Sequence, residues 1–89
     1  MNAIVTVIGQ DRVGIIAAVC SKLAEFNVNV LDISQTVMQG YFTMMMATDV
    51  SACNVPLAEL ARRMDELGVQ MGLSIRVQRE DIFQSMHRI

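Results

Sequence analysis

An α+β domain, with two helices laid over one face of an antiparallel sheet, is the fold the sequence predicts. Three observations carry it. Alternating or β-branched apolar runs are interleaved with segments whose apolar residues recur at three- and four-residue spacing. These segments follow one another as strand, helix, strand, strand, helix, strand. A Gln39-Gly40 turn joins the middle two strands into a hairpin. The 89 residues are read as one domain, with a core over about 3–79 and a tail over about 80–89. A domain this small buries a modest fraction of its surface, so self-association is expected to contribute to its stability.

Taken in order, Ala3 to Ile8 is β-branched and nearly all apolar, which suits a central strand covered on at least one face. Gly9-Gln10-Asp11-Arg12-Val13-Gly14-Ile15 reads as a strand-to-helix turn, where glycines allow close backbone approach and free N–H groups favour an anion. From Val13 onward, Ile16, Ala17, Cys20, Leu23 and Ala24 form one helical stripe, predicted to stop near Phe26-Asn27. Val28 to Met38 and Tyr41 to Val50 are the arms of the hairpin. Pro56 marks the start of a second helix with Leu57, Leu60, Ala61, Met64 and Leu67 inward, and Glu59, Arg62, Arg63, Asp65 and Glu66 outward. Gly68 is expected to end or loosen it. Leu73, Ile75 and Val77 alternate with Ser74, Arg76 and Gln78 as a last strand with one wet face. Glu80 and Asp81 precede Ile82, Phe83 and Met86 at helical spacing, which predicts a short helix packed back on the domain or on a partner. This order is the βαββαβ, ferredoxin-like arrangement. It leaves one sheet face and the sheet edges uncovered, and a homodimer is the simplest way to cover them.

Composition excludes several function classes. A formal charge of −2 without a Lys/Arg cluster argues against nucleic acid or an anionic membrane as partner. No apolar run approaches the roughly 18 residues of a membrane span. Met1-Asn2-Ala3 lacks the layout of a signal peptide, so a cytoplasmic location is the expectation. Cys20 and Cys53 are far apart and form no C-x-x-C unit, so neither a disulfide scaffold nor a zinc site is indicated. Cys20 lies on the apolar stripe as an inert thiol, whereas Cys53 lies in a loop where it is expected to be accessible. Met44-Met45-Met46 and Met38 cannot converge on one soft metal, because alternate strand residues point to opposite faces; they are read as packing residues. His87 has no partner in sequence for metal or acid–base work and is read as a solvated residue. No catalytic group, metal or cofactor is expected.

The run Ile8-Gly9-Gln10-Asp11-Arg12-Val13-Gly14-Ile15-Ile16, followed by Leu23-Ala24-Glu25-Phe26-Asn27-Val28-Asn29-Val30, closely resembles the ACT domain, an amino-acid-sensing regulatory module. Asp32-Ile33-Ser34-Gln35-Thr36 and the ending Ile82-Phe83-Gln84-Ser85-Met86 resemble the short free-standing members of that family, which are mostly uncharacterised. The resemblance implies a small amino acid held at a subunit interface, by Gly9, Gln10, Asp11, Arg12, Val13, Gly14 and Ile15 of one chain facing Asn29 and Val30 of its neighbour. Asn29 matches the family's interfacial amide, a group that can donate to a carboxylate and accept from an ammonium. The turn departs from the best-known pattern: Asp11 stands for a frequent Asn, Val13 for a frequent Pro, and Gly9 for the His of serine-binding members. Asp11 then has two readings, as partner of a ligand ammonium while the turn amides or Arg12 take the carboxylate, or as a cap on the following helix with Arg12 in solvent.

The expected function is a non-catalytic module that binds an amino acid or similar metabolite at a homodimer interface and acts on an enzyme or regulator in trans. The alternative is a constitutive dimeric interaction domain without ligand. An acylphosphatase-like hydrolase shares the element order and uses an Arg in its first turn, as Arg12 is placed here, but the Gly-x-Val-Gln-Gly-Val turn of that family is missing.

Overall fold

The computed structural model describes residues 1–10 and 12–81. The element order is β1 (Asn2–Gln10), α1 (Ile15–Glu25), β2 (Asn29–Met38), β3 (Tyr41–Asp49), α2 (Leu57–Met71) and β4 (Ser74–Arg79). The four strands form one antiparallel sheet in the order β2-β3-β1-β4, the expected ferredoxin-like βαββαβ arrangement. The β2–β3 hairpin turns at Gln39 and Gly40, both at positive φ (53° and 81°), as a two-residue turn with right-handed strand twist requires. β2 carries one irregularity, a bulge between Val30 and Asp32 that leaves Leu31 out of the ladder.

The core lies between the sheet and the two helices. Val5 pairs with Met46 and with Val77, and Val7 with Met44 and Ile75, so the rungs of β1 align apolar side chains on one face. Val5, Val7, Met44 and Met46 are fully buried there against Val19 and Leu23 of α1 and Leu60 and Met64 of α2. Met44 and Met46 are thus core residues, as read from sequence, whereas Met45 faces the opposite side and Met38 is exposed. Thr48 is the buried polar residue among those described, and its hydroxyl donates to the Ala3 carbonyl at 2.8 Å.

Three expectations are corrected. The buried stripe of α1 is Ile15, Val19 and Leu23 with Cys20 half-buried, so Ile16, Ala17 and Ala24 are exposed. The helix starts at Ile15, and its Ile16–Ala17 side looks past the core toward β2, which nothing covers. Gly68 does not end α2. The helix continues to Met71, with Gly72 as its left-handed cap at φ 70°. Cys53 is half-buried against the core rather than open to solvent. Glu80 and Asp81 begin a helical turn, while the rest of the expected C-terminal helix, including Ile82, Phe83 and Met86, and His87 lie outside the described residues.

Outside the core, α2 is held by a charge network in which Glu59 accepts from Arg62 at 2.6 Å and from Arg63 at 2.9 Å. The end of α1 and the loop between β3 and α2 are tied together by amides. Asn27, at φ 60°, donates from Nδ2 to the Ala52 carbonyl (3.0 Å), and Asn54 donates from its N–H to Phe26 and from Nδ2 to Glu25 (both 3.1 Å). The two bonds from Asn54 satisfy carbonyls at the end of α1 that the helix itself leaves open.

Gly68 allows α2 to lie close against the approach to β4: the Leu73 N–H donates to the Gly68 carbonyl at 2.7 Å, and a Cβ on Gly68 would stand 2.7 Å from the Leu73 carbonyl oxygen. Helix propensity favours alanine over glycine by about 1 kcal/mol, but forcing atoms into packed backbone costs about 1–3 kcal/mol. Gly68→Ala is therefore expected to lower the urea midpoint; a variant as stable as the native chain would show that α2 shifts freely.

Candidate functional site

The strand-to-helix turn is shorter than the sequence predicts. Gly9 and Gln10 belong to β1, paired with Phe42 and Tyr41, because β3 extends far enough to hold them in the ladder. Gly9 has a packing role: a Cβ there would run into Cδ2 of Leu73. The turn proper contains Arg12, Val13 and Gly14, all exposed, while Asp11 lies outside the described residues. Gly14 is the N-cap of α1 at φ 92°, a left-handed conformation that side chains rarely adopt. Among the described residues no side chain caps this helix, and no acidic residue occupies its first turn. The first intrahelical bond is from the Ala18 N–H to the Gly14 carbonyl at 2.9 Å, which leaves the preceding N–H groups without a helical acceptor. These groups give the start of α1 a positive dipole end, and Arg12 precedes it in the turn.

This helix start forms one wall of a groove of about 320 Å³. Arg12, Gly14, Ile16 and Ala17 lie on the α1 side, Gln35 and Val37 on the β2 side, and Phe42 with Ile15 at the base. The sheet register explains the floor, since Val37 pairs with Phe42 and Phe42 with Gly9. Among the described residues the groove combines an apolar bed with one cation, one side-chain amide and the backbone donors of a helix start. Gln35, Val37, Phe42, Ile16 and Ala17 were not singled out in sequence as site residues. Gln35 and Val37 alternate with Thr36 and so share a face, but only the register shows that this face meets the turn.

Asn29 and Val30 are at the other end of the same strand. Asn29 pairs with Asp49 and Val30 with Thr48, whereas the rung Met38–Tyr41–Gln10 is at the end near the turn. The structure therefore does not bring the turn and Asn29 together within one chain. Beside Asn29, hydrogen bonds from the Ser51 hydroxyl and N–H hold the Asp49 carboxyl below its ordinary range. β2 is an edge strand, and along it only Val30 is even half-buried; Leu31 (52% exposed), Ile33 (41%), Val37 (54%) and Met38 (70%) present apolar surface. Among the described residues, no cluster of His, Cys, Asp or Glu has the arrangement of a metal site, and no helix is long and apolar enough to cross a membrane.

Comparison with known proteins identifies the family and the fold. The family model described as the ACT domain matches residues 2–78. A UPF0237 protein of Clostridium acetobutylicum is 55% identical over the full length of both chains. Among solved structures, an ACT domain protein from Streptococcus pneumoniae superposes with a TM-score of 0.83 at 39% identity, covering 94% of each chain. The ligand-free regulatory subunit of aspartate kinase from Thermus thermophilus shares the fold (TM-score 0.66, 23% identity, 86% of this chain and 50% of that one). The family model over most of the chain and the full-length relative show that the chain belongs to the ACT domain family.

Proposed function

We propose that this chain is a non-catalytic sensing module that binds an amino acid or similar small metabolite between two copies and transmits the bound state to an enzyme or regulator in trans. The observation that carries the reading is the groove between the start of α1 and the bare edge strand β2. A free edge with exposed Ile33 and Val37 is a template for pairing with another strand. If two copies pair antiparallel through β2 about a dyad near its middle, the second copy's Asn29 arrives at the end marked by Met38, Tyr41 and Gln10, beside the first copy's turn. That arrangement reunites the residues implied by the family resemblance: Gly9, Gln10, Asp11, Arg12, Val13, Gly14 and Ile15 on one copy, Asn29 and Val30 on the other. The open N–H groups of α1 and Arg12 would take the ligand carboxylate, and the Asn29 amide its remaining polar group. The bed of Val37, Phe42, Ile16 and Ala17 would receive an apolar side chain.

Among the described residues no nucleophile, base or metal cluster lines the groove, and binding rather than turnover is proposed. A ligand bound only by the paired state would favour that pairing and alter the surface offered to a partner protein.

A thermal-shift panel of the common amino acids, with phosphate and nucleotide controls, tests the reading. A ligand at one hundred times its dissociation constant should add about 2.7 kcal/mol of stability, a rise of several degrees for a domain of this size. The shift is expected to vanish in Arg12→Ala and in Asn29→Ala. No response to any compound would favour the constitutive interaction domain.

The edge pairing has its own check. Placing two carboxylates on the edge, in Ile33→Asp with Val37→Asp, should reduce the assembly mass measured by light scattering, because like charges meet across the dyad. An unchanged mass would remove β2 as the interface.

A further inference from the structure

The sheet face opposite the helices is independent of the groove and of the proposed ligand. The register puts Ile4, Thr6 and Ile8 of β1 beside Ala47, Met45 and Thr43 of β3 on this face. Ile8 is 47% exposed and Met45 36% exposed. Asp32 and Ser34 flank this strip from β2, and Ser74 and Arg76 flank it from β4. A depression of about 200 Å³ lies off centre on this face, next to Asp32 and Ser34 and floored by Ile4, Met45 and Ala47. Charge on the face is sparse and arranged by edge: an acid at β2, a base at β4. Among the described residues Lys22, Arg62, Arg63 and Arg79 each pair with a carboxylate, whereas Arg76 forms no ion pair. Among the described residues the Asp32 carboxylate accepts only the N–H of its own neighbour, Ile33, at 2.9 Å.

We propose that this open face is a self-complementary interface for a second copy of the chain, with Arg76 of each copy entering the depression that carries Asp32 of the other. Two sheets stacked about a dyad parallel to their strands place β4 of one over β2 of the other, and β1 over β3. Height along the strand is preserved by that operation. Arg76 is level with Thr6, Met45 and Ser34, at one end of the depression, and Asp32 is one alternate position further on, within reach of an arginine side chain. The pair forms twice. A dyad running across the strands would instead stack β2 on β2 and β4 on β4, opposing like charges. Three strands about 30 Å long and the shorter β4, about 20 Å long, spaced about 4.8 Å apart, present roughly 530 Å² per copy, or about 1,060 Å² in total, at the lower limit for a specific interface. The two guanidinium–carboxylate pairs therefore decide whether the contact holds, and together with the β2 edge they would make a tetramer.

Sizing of the full chain by light scattering at micromolar concentration tests this. Arg76→Glu and Asp32→Arg, both at exposed positions, are each expected to halve the mass of the native assembly, and the double variant to restore it. Peroxide should oxidise Met45 several-fold more slowly in the native assembly than in Arg76→Glu. Unchanged mass in both single variants, or equal Met45 oxidation rates, would overturn the proposal. The outcome does not depend on ligand binding, and a native dimer that becomes a monomer in Arg76→Glu supports the face contact even without edge pairing.

Discussion

The domain is organised around the face of the β1–β3 ladder on which Val5 meets Met46 and Val7 meets Met44. Both helices close on these rungs, and the fully buried residues of α1, α2 and β4 all converge there. Once that contact is made, little apolar surface remains to cover the fourth strand. α1 lies near the end of its reach at β2, so Ile33, Gln35 and Val37 stay in solvent even though they share the helix side of the sheet. The bare strand and the groove beside it are therefore consequences of how two helices divide four strands. Fully burying one aliphatic side chain contributes about 1.5–3 kcal/mol, so a strand that exposes several of them leaves considerable stabilisation to association.

Much of this architecture was legible in the residues because it rests on local physics. Gln39-Gly40 between two β-branched runs specifies its turn, and Pro56 followed by Leu57, Leu60 and Met64 specifies a helix start and its inward face. What was not legible depends on neighbours distant in sequence. Gly68 looks like a helix terminator until the Leu73 carbonyl is placed against it. Gly9 and Gln10 look like loop residues until β3 is seen to continue as far as Tyr41. Ile16 and Ala17 satisfy helical spacing as well as Ile15 and Val19 do, and only the position of the sheet decides which pair is inside.

The candidate site was half visible for the same reason. The turn announces itself, because Arg12 and Gly14 stand directly before an apolar helical stripe. Its facing wall does not, since Gln35, Val37 and Phe42 reach the turn only through the strand register. Asn29 stands at the far end of β2 from that turn, a distance one chain does not bridge by itself. The amides at the other end of the fold have a different task. Asn27 and Asn54 join the end of α1 to the loop after β3 and so fix the helix over the sheet.

The bulge at Leu31 bears on how such a strand avoids joining the wrong neighbour. An uninterrupted edge can slide by two residues and still pair, which permits mixed alignments and end-to-end growth. By removing one residue from the ladder between Val30 and Asp32, the bulge makes the two ends of β2 inequivalent. A slipped partner would meet the discontinuity instead of a regular row of donors and acceptors. In the edge pairing proposed above, the irregularity would work as an alignment stop, confining an otherwise sticky edge to a narrow set of closed pairings.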